Sequence, residues 1–280
     1  MSRLLQQLSE GRLLLLDGPM GTELSDRGFD VDRDGWSARA LLDAPELVLQ
    51  IHQDYVSAGA NLLTTNTFRT FSQNLRSWDC PLSAEEMTRR AVELARGAAG
   101  DQCEILGSIA PVGDCYEQGK TGFSAGQKAQ IEEHVNNLIQ AGVDGFLIET
   151  QTSFPEMLYS VQICRQYALP ILVSMVTRDG STMLDGTPIR EIWKELEVQG
   201  ICAIGCNCIP VEIVSAFLSE LKDCQLPRLV YANSSMCDPQ GRWHPTAGAD
   251  YNRHSQLAAE WIKQGVRILG GCCGTNSKLI

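Results

Sequence analysis

Eight short apolar segments, at residues 13–16, 61–65, 104–108, 145–149, 171–176, 201–207, 229–232 and 266–269, constrain this chain most. Each is flanked by Gly, Pro, Asn or Asp, the pattern of strands buried on both faces. Between them run amphipathic stretches such as PELVLQIHQDYVSAGA, SAEEMTRRAVELARGA and DYNRHSQLAAEWIKQG, several opening on Ser, Pro or Asp and closing near Gly. The motif Ala58-Gly59-Ala60 returns as Ala141-Gly142-Val143 and, more loosely, as Gln264-Gly265-Val266, a helix-ending glycine feeding the next strand. Strictly alternating strands and helices predict parallel pairing through right-handed crossovers. Eight units predict a (β/α)8 barrel over residues 1–280, with a doubly wound open sheet as the alternative. No proline-rich or serine-rich linker divides the chain, so one domain is expected.

In such a barrel the chemistry sits where strands end. The polar residues closing the apolar segments are Asp17, Asn66 with Thr67, Ser108, Glu149, Ser174, Asn207 with Cys208, Asn233, and Cys272 with Cys273. The chain has eleven cysteines, and its opening, MSRLLQQLSEGRLLLLDG, does not read as a secretory signal. The apolar run at 13–16 is also far short of the ~20 residues that cross a bilayer. A reducing, cytoplasmic setting is therefore expected, in which thiols serve as small apolar side chains, metal ligands or nucleophiles.

Gly270-Gly271-Cys272-Cys273-Gly274 closes the last apolar segment. Neighbouring strand residues point to opposite faces, so two adjacent cysteines share one metal only where the backbone leaves strand geometry, and the flanking glycines permit that. Without a metal the pair reads as small residues in a tight turn. A third thiol, Cys208 in Gly205-Cys206-Asn207-Cys208, closes the sixth segment at the same rim; Cys202 and Cys206 lie deeper and read as packing. Three thiolates with no fourth protein ligand describe an open Zn²⁺ site. Asp17 and Glu149 close very apolar segments, and a buried carboxylate is costly unless paired. They read either as caps and loop anchors or as acceptors for a cationic group such as an amino acid's ammonium.

Several classes are excluded. With 34 acidic and 23 basic residues the formal net charge is −11, the wrong sign for nucleic acid or an anionic membrane surface. Residues 113–121 imitate a phosphate-binding loop but place five residues, two of them acidic, between the glycines instead of four. No G-x-G-x-x-G is present, and His52, His134, His244 and His254 are scattered on helices and loops, where they read as core or surface histidines.

The order of LDGPMGTEL, GANLLTTNTF, GSIAPVGDCYEQGKTGF, DGFLIETQTSFPEM, VSMVTRDGSTMLDGTPI, GCNCIP, ANSSMCDPQGRWHP and GGCCGT resembles the zinc-dependent homocysteine S-methyltransferases over nearly the whole chain. The resemblance implies a (β/α)8 barrel, with Cys208, Cys272 and Cys273 as zinc ligands. It further implies that Asp17, the backbone near Gly18, and Glu149 hold the amino end of homocysteine, with Thr67 and Ser108 alongside and Asn233 near the metal. The implied reaction moves a methyl group from a cationic donor, S-methylmethionine or S-adenosylmethionine, to the homocysteine sulfur, giving methionine. The partners are small molecules, and oligomeric state is not indicated. A betaine-dependent or other-thiol methyltransferase of the same family, and a non-catalytic zinc or thiol-redox protein, are the alternatives. Trp36, Phe68, Tyr116 and Trp243 are candidates for an aromatic wall facing the donor. Two departures stand out. The family continues past GGCCGT with a proline, a histidine and a helix, whereas Asn276-Ser277-Lys278-Leu279-Ile280 predicts a short or missing final helix; and Asn233 is followed by Ser234-Ser235.

Overall fold

All eight apolar segments become strands, and the reason is visible in which side each residue faces. The computed structural model describes residues 2–101, 103–113, 123–237 and 243–280. Its strands are β1 (Leu14–Leu15), β2 (Leu62–Thr64), β3 (Glu104–Ile109), β4 (Gly145–Gln151), β5 (Ile171–Met175), β6 (Ala203–Pro210), β7 (Arg228–Asn233), β8 (Ser235–Cys237), β9 (Trp243–Pro245) and β10 (Val266–Gly271). Eight of these pair in parallel in the order β1-β10-β7-β6-β5-β4-β3-β2, and a bridge between Leu16 and Leu62 joins the two ends of that order. The sheet closes as a barrel, and the open-sheet alternative is set aside. Along β4 the alternation is plain: Phe146 and Ile148 join the outer core under the helices, whereas Leu147 joins the cluster inside the barrel.

The helices are α1 (Arg3–Ser9), α2 (Met20–Asp26), α3 (Ala40–Asp43), α4 (Pro45–Ala58), α5 (Ser72–Arg76), α6 (Ala84–Ala99), α7 (Ala125–Ala141), α8 (Phe154–Cys164), α9 (Ile189–Val198), α10 (Val211–Glu220) and α11 (Tyr251–Lys263). Local chemistry sets several of their ends. Ser83 with Glu86 and Ser124 with Gln127 form capping boxes, Pro45 opens α4, and Gly59 and Gly142 close α4 and α7 in the left-handed region. Among the described residues no helix is long and apolar enough to cross a membrane.

Inside the barrel, Leu14, Leu16, Leu62, Leu106, Leu147, Leu172, Leu229 and Ile268 form one apolar cluster. Helix α1 joins it by burying Leu4 and Leu8, so it plugs the end of the barrel away from the strand C-termini. Among the described residues no helix follows β10, in line with the expected short or missing final helix. Beside that gap Leu13 is 40% exposed and Leu15 and Leu269 are half-buried, so α1 does not cover the wall itself. The antiparallel hairpin β8–β9 was not expected from the sequence pattern, because its three-residue strands carry too little alternation to read.

Candidate active site and metal centre

Following five of the strands upward from an interior leucine, the next inward position is polar. Leu62 leads to Thr64, Leu106 to Ser108, Leu147 to Glu149, Leu172 to Ser174 and Leu229 to Tyr231. Period-two side-chain alternation therefore gathers hydroxyls and carboxylates at one end of the barrel. Ser108 Oγ donates a short hydrogen bond to Glu149 Oε1. Tyr231 Oη lies 3.4 Å from Glu149 Oε2 and 2.6 Å from Ser174 Oγ, which in turn donates to Asn207 Oδ1 at 2.6 Å. Asp17 accepts from the Thr64 amide at 2.7 Å and the Thr64 hydroxyl at 2.9 Å.

Both carboxylates are buried. Burial pushes Asp17 up to about 8 against the Thr64 hydrogen bonds, with the charge of Glu149 adding to the rise. Burial likewise pushes Glu149 up to about 7, opposed by Ser108, Tyr231 and Thr150. Two such groups sharing a dry space favour a cation between them.

The thiols reach the same rim by leaving strand geometry. Cys206 is fully buried in the outer core, and a regular strand would send Cys208 to the same side. Instead the β6–β7 register shifts between Asn207 and Pro210, and Cys208 adopts φ 55°. Such bulges re-aim side chains. A matching shift interrupts β4–β5 between Ile148 and Gln151, where Thr150 also has φ 55°. Asn207 ties the two distortions together: its Oδ1 accepts from the Thr150 amide at 2.9 Å and its Nδ2 donates to Thr150 Oγ1 at 2.8 Å. Beyond β10 the Cys272 carbonyl accepts from the Thr275 amide and hydroxyl, and Gly274 takes φ 82°. That turn brings both adjacent cysteines to one side.

The Sγ atoms of Cys208, Cys272 and Cys273 lie within 4.8 Å of one another, and Cys208 and Cys273 are 4.0 Å apart. Sulfurs sharing a tetrahedral zinc at about 2.3 Å stand about 3.8 Å apart. Although the hydrogen bond with Cys208 lowers it, the Cys272 thiol is pushed well up by its bond with Cys273, burial, and the negative charges of Cys273 and Glu149. A thiol trio in that field ionises together only beside a cation. Asn233 ends β7 with its Oδ1 buried and without a hydrogen-bond partner, while its Nδ2 donates to the Met236 sulfur; the next residue's amide donates to the Cys273 carbonyl. Spacing, all-sulfur chemistry and this orphaned oxygen fit a thiophilic divalent metal.

Gly18 follows Asp17 in the turn before α2 and is half-buried. Thr67 is buried with its hydroxyl already donating to the Ser108 carbonyl at 2.9 Å, so it sits one step behind Ser108. His134, on α7, reaches the same carbonyl through Nε2 at 2.9 Å; burial lowers its pKa to about 4, so it is neutral and donates there. Thr64, Tyr231 and His134 were missed from the sequence, Tyr231 and Thr64 because they lie inside apolar segments, and His134 because it lies on a helix distant in the chain. Trp36 and Phe68 meet edge to face at 5.5 Å above this rim, but Arg69 already covers one face of Phe68 at 5.3 Å. Tyr116, most of the 113–121 loop and the Trp243 side chain lie outside what is described.

Comparison with known proteins agrees with this geometry. The family model described as homocysteine S-methyltransferase matches residues 14–280. The homocysteine S-methyltransferase YbgG of Bacillus subtilis (strain 168) is 29% identical over 96% of this chain and 92% of its own, and the homocysteine S-methyltransferase of Escherichia coli (strain K12) is 29% identical over 96% and 93%. The crystal structure of the metallated form of the Escherichia coli homocysteine methyltransferase MmuM superposes with a TM-score of 0.83 at 28% identity, covering 98% of this chain and 96% of that one.

Proposed function

The chain belongs to the homocysteine S-methyltransferase family, and we propose that it takes its methyl group from a sulfonium donor, S-methylmethionine or S-adenosylmethionine, at a zinc centre held by Cys208, Cys272 and Cys273. The observation that carries this reading is the meeting of three thiols within 4.8 Å and two buried, proton-holding carboxylates at one barrel end. When bound, zinc supplies the positive charge that keeps the three protein thiols and a substrate thiol deprotonated near neutral pH, where a free thiol of pKa about 8.5 is mostly protonated.

The chain's own residues supply orientation. Asp17 and Glu149 receive the homocysteine ammonium, and ionise as that cation arrives. Ser108 and Tyr231 fix the Glu149 carboxylate, Thr67 and His134 fix Ser108 from behind, and Asn233 Oδ1 faces the metal side of the site. The reaction is an in-line displacement: the homocysteine sulfur forms the bond to the methyl carbon as the bond from that carbon to the donor sulfonium breaks, leaving a neutral thioether. No general base is needed once the thiolate exists. Alignment of two substrates contributes several kcal/mol of barrier lowering, about 7–11 in favourable cases. A cationic donor suits the chain's net charge of −11. Three reduced thiols suit the cytoplasm.

Incubating the reduced, zinc-loaded chain with homocysteine and, in turn, S-methylmethionine, S-adenosylmethionine and betaine tests the donor. Methionine is expected from a sulfonium donor and not from betaine. Turnover with betaine alone, or with none of the three, would overturn this reading.

A further inference from the structure

A cleft of about 560 Å³ opens at the opposite end of the barrel, between the loops that lead into β7 and β10. Four cationic side chains line it: Lys222, Arg228, Lys263 and Arg267. Among the described residues no carboxylate lines it, in a chain where acidic residues outnumber basic ones by 34 to 23. Among the described residues none of the four makes an ion pair; nearby Glu220 is taken by Arg190.

The two arginines are set rather than loose. Arg228 donates to the Leu221 carbonyl at 2.6 Å, and Arg267 to the Val266 and Ile262 carbonyls at 2.8 and 3.2 Å. Each guanidinium has five N–H groups, so most of its donors remain for another acceptor. Gly265 leaves the space the Arg228 guanidinium occupies, since a Cβ there would stand 2.9 Å from Nη1. Burial and the neighbouring Arg267 lower the Arg228 pKa, with Cys224 opposing, as expected of cations held together without a counter-charge. Leu8, Leu218, Leu226 and Pro227 add an apolar side to the same cleft.

We propose that this cleft binds a polyphosphate anion, carried either on a nucleoside or free. Two half-buried guanidinium groups flanked by two exposed ammonium groups match adjacent phosphoryl groups in charge and hydrogen-bonding capacity, and the cleft volume lies within the ordinary range for small-molecule sites. Arg228 opens β7 and Arg267 lies one residue into β10, the strands whose far ends lead to Asn233 and the Cys272–Cys273 turn. An anion here would hold the two strands together away from the chemistry. This inference is independent of the methyl donor and of the metal.

Calorimetric titration of the intact chain at low salt with pyrophosphate, ATP, inorganic phosphate and adenosine tests it. Pyrophosphate or ATP is expected to bind with a Kd below about 1 mM, and to raise the melting temperature by about 3 °C at ten times the Kd. The exposed double variant Lys222→Gln/Lys263→Gln should bind about tenfold more weakly and transfer methyl groups normally. ATP binding more tightly than pyrophosphate would support the site and assign it to a nucleotide; equal affinities would support it and assign it to the inorganic anion. Arg267→Gln, read in the same titration, provides a second loss of affinity. Absence of binding by both polyphosphates, binding by adenosine alone, or unchanged affinity in both variants would overturn the proposal.

Discussion

Asp17 and Glu149 are costly residues to place where they are, and their cost defines what they are for. Asp17→Asn keeps acceptor and donor atoms within reach of Thr64 but removes the charge, and is expected to raise the KM for homocysteine about 10- to 100-fold with a smaller change in kcat, the loss of one hydrogen bond between charged groups. Glu149→Gln should behave alike and add to it less than fully, since both act on one ammonium. Steady-state kinetics decides; an unchanged KM in both variants would separate these carboxylates from the amino end of the substrate. Their titration gives a second check. Both pKa values are raised on folding, from 3.8 to about 8 and from 4.5 to about 7, so the folded chain holds more protons than the unfolded one across that interval. Stability is full below the unfolded values and is lost as pH rises through the folded ones. An amino acid without a thiol, such as norleucine, should therefore raise the melting temperature of the metal-free chain more at pH 8 than at pH 6. A larger gain at pH 6 would contradict the assignment.

The strand ends, rather than the strands, make the site. Thr150 and Cys208 both sit at φ 55°, a conformation costing about 1–3 kcal/mol each for residues with a Cβ, and Asn207 holds them against each other. Asn207→Ala should cost about 2–3 kcal/mol by chemical denaturation and lower methyl transfer at least tenfold, whereas Cys206→Ala, one residue earlier, should cost stability only. Equal activity losses would show that the bulge carries nothing special. Helix α1 is a separate case: Leu4→Ala is expected to cost about 2–5 kcal/mol while leaving kcat intact in the folded fraction. The eight strands were legible because continuous apolar runs between helix caps have few other readings, and the cysteine trio was legible because glycine-flanked thiols at strand ends have few either. The plug by Leu4 and Leu8 was not, since seven amphipathic residues look alike whether they cover a wall or close an end. The bulges were also hidden: nothing in Asn207-Cys208 or Glu149-Thr150 announces a positive φ, which arises from pairing between strands far apart in the chain.

Along its axis the barrel changes character, from α1 and its leucine partners at one end to hydroxyls, carboxylates and thiols at the other, with a cationic cleft set beside the plugged end. This polarity follows from a choice repeated in five strands, an interior leucine followed two residues later by a polar side chain, and it explains how a barrel that is apolar both inside and beneath its helices keeps its reactive groups on a single rim. The central claim is that this rim is a zinc-thiolate centre. Atomic mass spectrometry of the chain purified under reducing conditions and equilibrated with zinc tests it most directly. The account predicts about one zinc per chain, falling below about a tenth in Cys208→Ala, with the far-ultraviolet circular dichroism unchanged. A wild-type chain that retains no zinc, or a Cys208→Ala chain that retains a full equivalent, would contradict it.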